Sequence, residues 1–101
     1  MRVLFICNQN ENRSKTAEEI FKNKFDTKSA GLYSQKPVSE EPISWADTII
    51  VMENRQRTEL SKRFPELYMK KKILSLDIPD TYYHNQPELI KILKSKMNEL
   101  A

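Results

Sequence analysis

At 101 residues the chain has the length of one domain, near the lower end of what buries a self-sufficient core without disulfides or metal. Seventeen basic and 14 acidic residues leave a net charge of +3, and a composition that is 39% hydrophobic and 31% charged is globular, not disordered. One cysteine excludes an internal disulfide, and one cysteine with one histidine cannot build a tetrahedral structural zinc site, so packing must stabilise the fold.

The elements follow in chain order. Arg2 to Cys7 reads as a buried strand, rich in β-branched and aromatic residues and without helical period. The polar loop CNQNENRS leads from it into a helix. Ser14 is the expected N-cap, and Ala17, Ile20, Phe21 and Phe25 share one face. Asp26 to Ala30 is a second strand ended by Gly31, and a polar, proline-bearing connection runs from Leu32 to Pro42. Glu40 to Ala46 is a short helix, and Thr48 to Met52 a fully buried third strand. Asn54 to Phe64 is a helix with Leu60 and Phe64 inward, stopped by Pro65. Lys72 to Leu76 is the fourth strand, followed by the loop DIPDTYYHNQ. Pro87 then opens a last helix in which Leu89, Ile90, Leu93, Met97 and Leu100 repeat every three or four residues. Strands alternating with helices predict an α/β fold, with a parallel sheet covered by helices on both faces and one domain over residues 1–101.

The apolar runs are strand-sized, far below the roughly 20 residues of a membrane-spanning helix. The polar CNQNENRSK cuts short any apolar core of a secretory signal. A cytoplasmic chain without membrane contact is the expectation. Lys70, Lys71 and Lys72 form a basic run, but acids and bases are interspersed along the chain, which predicts a solvated surface and no nucleic-acid partner. Such a surface also steers phosphorylated substrates.

In parallel sheets of this kind, ligands bind beyond the carboxyl ends of the strands, and CNQNENRS occupies that position. Loop amides wrapping into a helix N-terminus cradle an anion and favour a thiolate on Cys7. Arg13 can return a bidentate guanidinium to the same oxyanion, because five intervening residues let the loop curl until sulfur and guanidinium face one phosphate. Ser14 can donate a hydrogen bond to the sulfur. The competing reading, a buried strand-end thiol with no chemistry, stays open on these residues alone.

VLFICNQNENRSKTAE resembles the opening of the low-molecular-weight protein tyrosine phosphatases, V-C-x-G-N-x-C-R-S-P-x-A-E, with Cys7, Asn10, Arg13, Ser14, Ala17 and Glu18 in matching places. Ser29 to Gly31 (SAG) is similar to that family's second-strand exit, WADTIIVME to its third-strand pattern A-D-x-I-x-V-M, and Ile78 to Tyr83 (IPDTYY) to its acid-bearing D-P-Y loop. The resemblance implies a three-layer sandwich on a four-stranded sheet of order 2-1-3-4. It also implies a monomeric, metal-free and cofactor-free phosphatase acting on a phosphorylated protein or a small aryl phosphate.

In that chemistry Cys7 attacks phosphorus, Arg13 and the loop residues Asn8, Gln9, Asn10, Glu11 and Asn12 hold the oxygens, and Asp80 protonates the leaving group. Asp80 is preferred to Asp77 because it keeps the spacing Asp-x-Tyr-Tyr, whereas Asp77 sits at a strand end. Tyr82 and Tyr83 either wall a pocket for an aromatic ring or pack the loop on the sheet. Trp45 is assigned to the core, and His84 is given no chemistry.

Several residues depart from the family pattern. Gln9 replaces its glycine, although Asn8, Asn10 and Asn12 are the residue type that best tolerates left-handed backbone. Asn12 replaces its second cysteine, removing a disulfide partner for Cys7, and Lys15 replaces its proline. Glu11 places a carboxylate at the loop crest. Pointing outward it would select substrates with basic neighbours, and pointing inward it would weaken phosphate binding. The segment between Gly31 and Ala46 is short for the family, which predicts a shallower cleft with Tyr33 as a substitute wall.

Three other functions compete on these features. A cysteine phosphocarrier has no need of Arg13 or of a leaving-group acid, and a thiol-based arsenate reductase needs resolving cysteines that the chain lacks. A phosphotyrosine- or anion-binding module without turnover is the remaining alternative.

Overall fold

The computed structural model describes residues 1–100, the side chain of Leu100 excepted. The place of Leu100 on the apolar face of the last helix therefore lies outside the described residues. Four strands, β1 (Arg2–Cys7), β2 (Asp26–Gly31), β3 (Thr48–Val51) and β4 (Lys72–Ser75), form one parallel sheet of order β2-β1-β3-β4. Five helices surround it: α1 (Arg13–Phe21), α2 (Glu40–Trp45), α3 (Asn54–Arg63), α4 (Pro65–Lys70) and α5 (Pro87–Leu100). This is the expected three-layer α/β arrangement, with the topology that right-handed crossovers between parallel strands favour.

The central strands are buried on both faces, and their alternation divides the core. Val3, Phe5, Cys7, Ile50 and Met52 pack with Ala17 and Phe21 of α1 and with Leu89 and Leu93 of α5. Leu4, Ile6, Ile49 and Val51 face the other way, against Ile43 of α2 and Leu60 of α3, with Phe64, Leu67 and Tyr68 packed alongside. Cys7 thus shares a face with α1 and α5, which fixes the side of the sheet on which its thiol emerges.

Two expectations are corrected. Ser14 is not an N-cap: Asn12 occupies that position without a side-chain cap, the Thr16 N–H donates to the Asn12 carbonyl at 2.9 Å, and Ser14 is buried inside the first turn. Its hydroxyl is engaged by the loop instead. Pro65 does not simply end a helix. Phe64 leaves helical geometry (φ −134°, ψ 63°), as a residue before proline tends to, and Pro65 then starts α4 at the position where its missing N–H costs nothing. Helix α1 ends at Phe21, so Phe25 is not on its face as expected, although it packs against the same core group; the other strand and helix ends differ from the expected ones by at most one residue, as with β2, which includes Gly31.

Trp45 is half-buried beside the second core group, with the Lys28 ammonium 4.5 Å from its ring centroid. Of the basic run, Lys71 is engaged internally, its Nζ donating to the carbonyls of Ser44 and Ala46 at 2.8 and 2.7 Å. Among the described residues no helix is long and apolar enough to cross a membrane.

Leu93 is fully buried and holds α5 against the sheet. Leu93→Ala is expected to cost about 3 kcal/mol in urea unfolding, while Lys94→Ala, on the exposed side of the same helix, stays within about 0.5 kcal/mol. Equal costs for the two would contradict the docking described here.

Candidate active site

β1 delivers Cys7 to the carboxyl edge of the sheet, where residues 8–12 turn back over it before α1 begins. The Asn10 N–H donates to Cys7 Sγ at 3.2 Å, and Ser14 Oγ lies 2.9 Å from the same sulfur and 2.8 Å from Asn10 Oδ1. A hydroxyl has one proton. When Ser14 donates to Asn10, the thiol donates to Ser14. When the Asn10 amide is turned so that Nδ2 faces Ser14, the hydroxyl proton is free to serve an ionised sulfur. The same three residues can therefore satisfy both protonation states of Cys7.

The curl of this loop depends on two backbone features. Asn10 takes the left-handed conformation, φ 58°, whereas Gln9, standing where the family pattern has glycine, does not. The chain's one glycine lies beneath. A Cβ on Gly31 would fall 2.8 Å from the Gln9 carbonyl carbon, 2.9 Å from Asn10 N and 2.9 Å from Asn8 O, closer than real side chains approach. With Gly31 bare, the loop rests on the β2 exit: Leu32 N–H donates to Cys7 O at 3.0 Å and Tyr33 N–H to Asn8 O at 2.8 Å. Ser29 also donates to Glu18 Oε1 at 2.7 Å, tying β2 to α1.

Arg13 is 1% exposed, with the most restricted guanidinium of the site. Its Nη1 donates to Glu53 Oε1 at 2.5 Å and to the Ile78 carbonyl at 2.6 Å. Nε and Nη2 have no hydrogen-bond partner among the described residues. Buried donors left unpaired are costly, and a guanidinium offers them in a planar fork that fits an oxyanion. Asp80 Oδ1 stands 3.7 Å from Nε, beyond hydrogen-bonding distance, on a side chain 52% exposed. Cys7, Gln9, Glu11, Asn12, Arg13 and Asp80 enclose a pocket of about 60 Å³.

Burial penalises charge on Glu53, but the hydrogen bonds from Arg13 and then Arg55 outweigh it and hold the carboxyl below its ordinary value. Glu53 follows β3 and caps α3 through a reciprocal pair with Gln56. Gln56 is itself buried: its Oε1 accepts from Met52 N and Glu53 N at 2.8 and 3.0 Å, and its Nε2 donates to Asn8 Oδ1 at 3.0 Å.

Six of the residues singled out in the sequence thus meet at one pocket, with Asn8, Asn10 and Ser14 behind its wall. Tyr82 packs against the core under α5, and Tyr83 is 79% exposed; neither lines the pocket. Asp77 is exposed with φ 57° and stands outside it too. Exposed His84 meets Glu19 at 3.1 Å, and Tyr33, exposed with the Arg63 guanidinium 5.1 Å from its ring centroid, does not wall this pocket as expected. Sequence reading missed Glu53, Gln56 and the Ile78 carbonyl. Their one signal was placement at strand exits on the same sheet edge as Cys7.

A parallel sheet of order 2-1-3-4, whose first strand runs into a loop with the spacing Cys-x5-Arg, has the fold of the low-molecular-weight protein tyrosine phosphatases. The structure is similar to the low-molecular-weight protein tyrosine phosphatase from T. tengcongensis, with a TM-score of 0.78 at 24% identity over 100% of this chain and 99% of that one. It is also similar to the YwlE arginine phosphatase from Geobacillus stearothermophilus (TM-score 0.72, 23% identity, 98% of this chain and 84% of that one). A third neighbour is the tyrosine phosphatase Wzb from Escherichia coli K30 in complex with phosphate (0.77, 18%, 98% and 94%). No protein-family model and no curated protein sequence matches the chain.

Two outcomes follow from this geometry. Gly31→Ala is expected to displace residues 8–10 and weaken inorganic phosphate binding about tenfold or more by calorimetry, in a protein that still folds; unchanged affinity would count against the close approach. For Glu53, a folded pKa below the ordinary 4.5 means its stabilising contribution is complete above that value and lost as pH falls through the folded pKa. The stability difference between wild type and Glu53→Gln should accordingly shrink below about pH 4.5 in urea titrations.

Proposed function

We propose that the protein is a metal-independent phosphatase that hydrolyses phosphotyrosine or aryl phosphate monoesters through a cysteinyl-phosphate intermediate, acting as a cytoplasmic monomer. The observation that carries this reading is the buried Arg13 guanidinium, whose Nε and Nη2 stand unpartnered at a pocket shared with Cys7 and Asp80. The Cys7 sulfur attacks phosphorus from the pocket floor, opposite the leaving group. Arg13 Nε and Nη2 and the loop amides hold the equatorial oxygens, where negative charge is greatest in transfer.

Asp80, at the mouth, donates its proton to the leaving oxygen and as a carboxylate then activates the water that cleaves the S–P bond. Ser14 donates to the sulfur as it departs. Guanidinium and amides supply the charge stabilisation, so these steps call for no metal ion. The leaving group is less constrained by the fold, since the neighbours are named for tyrosine and for arginine.

The test is hydrolysis of p-nitrophenyl phosphate with EDTA present. Cys7→Ser is expected to lose at least about 10³-fold in kcat, and Asp80→Asn about 10²-fold or more. Turnover surviving Cys7→Ser would remove the mechanism. Phosphate binding without any wild-type turnover would favour an anion-binding module.

A further inference from the structure

Glu11 stands where an anion-binding loop would least be expected to carry a charge of the same sign as its ligand. It lines the pocket with Gln9, Asn12 and Asp80, its side chain is exposed, and it has neither an ion-pair nor a hydrogen-bond partner among the described residues. The other charges near the site are committed: Arg13 to Glu53, and Arg55 to Glu53 at 2.7 Å. An unpaired carboxylate at the rim repels an arriving dianion unless the substrate brings a cation to it.

The remainder of the rim points the same way. Neither tyrosine expected to hold an aromatic ring lines the pocket, and the side chains that stand there with Cys7 and Arg13 are those of Gln9, Glu11, Asn12 and Asp80. A pocket of about 60 Å³ has room for little beyond a phosphoryl group, so whatever carries that group sits at the mouth, between two carboxylates.

Resting on the phosphatase reading above, we propose that Glu11 is a specificity-determining residue, selecting phosphoryl groups that have a guanidinium or ammonium beside them. The cation comes either from a basic residue flanking a phosphotyrosine or from the leaving group itself, as in an N-phosphorylated arginine. With the second, Cys7 sulfur forms the S–P bond, the P–N bond breaks, its electron pair stays on nitrogen, and Asp80 supplies the proton. Water then cleaves the S–P bond, returning a proton to Asp80 and releasing inorganic phosphate. Glu11 pairs with the cation throughout and takes no part in the bond changes.

The experiment measures metal-free kcat/KM of wild type, Glu11→Gln and Glu11→Lys on four substrates: a phosphotyrosine peptide flanked by arginines, the same peptide flanked by glutamates, p-nitrophenyl phosphate and N-phosphoarginine. Wild type is expected to prefer the arginine-flanked peptide, and Glu11→Gln to lower its rate about fivefold while raising p-nitrophenyl phosphate turnover. Glu11→Lys should reverse the peptide preference. A Glu11-dependent gain confined to N-phosphoarginine assigns the cation to the leaving group; a gain confined to the peptides assigns it to the flank.

Ratios unchanged by both substitutions would overturn the proposal while leaving the phosphatase reading intact. Absence of wild-type turnover on all four would remove that reading. The same ratios would then be taken from equilibrium peptide binding, where equal affinity for the two peptides would overturn the role of Glu11.

Discussion

A guanidinium buried to 1% exposure, with one edge fully used and the other left empty, is the constraint around which this molecule is arranged. Removing Arg13 from water is costly, and its attraction to Glu53 offsets that cost only where the partner is close and well oriented. Both conditions are met by elements distant in sequence: Glu53 follows β3, and the Ile78 carbonyl follows β4. With Nη1 held by these two acceptors, the plane and direction of the fork are set. Nε and Nη2 are left facing the pocket that Cys7 also lines.

The loop opposite Arg13 is supported in a comparable way from below. Its left-handed turn falls on Asn10, and the space it needs is provided by Gly31, at the end of a strand paired to β1. Gln56 reaches from α3 to Asn8 and holds the far side. Cys7, the loop after it and the Arg13 guanidinium are thus placed by β1, β2, β3 and the β4 exit together. A shift of the sheet register by one residue would turn Cys7 to the other face and separate it from α1.

Charge is distributed unevenly through the site. The interior cation is held by Glu53, with Asp80 3.7 Å from its Nε, and Glu11 adds a carboxylate with no ion-pair partner among the described residues. On the function proposed above, a phosphorylated substrate meets Glu11 and Asp80 as well as Arg13 at this pocket. Such an arrangement tends to discriminate among partners more than it adds affinity, because repulsion at the rim excludes ligands that carry no compensating charge.

By itself the sequence determined the alternation of strands and helices, the parallel sheet, and the meeting of Cys7 with Arg13, while Asp80 was placed there only through the family resemblance. The first three rest on local signals: apolar runs of strand length, prolines and turn residues at element ends, and a spacing that a short loop can close. The sequence anticipated the contact of Ser14 with the Cys7 sulfur but wrongly read Ser14 as an N-cap as well, because capping propensity is local whereas the pull of the sulfur and the Asn10 amide is not. It also had no means to find α4, since a proline that stops one helix and a proline that starts the next look alike in one dimension. Only the tertiary structure decided that Gly31 lies under the loop, that Glu53 and Ile78 hold Arg13, and that Tyr82 and Tyr83 stand away from the pocket. These are contacts between strand exits that are neighbours only once the sheet has formed, and no periodicity along the chain encodes them.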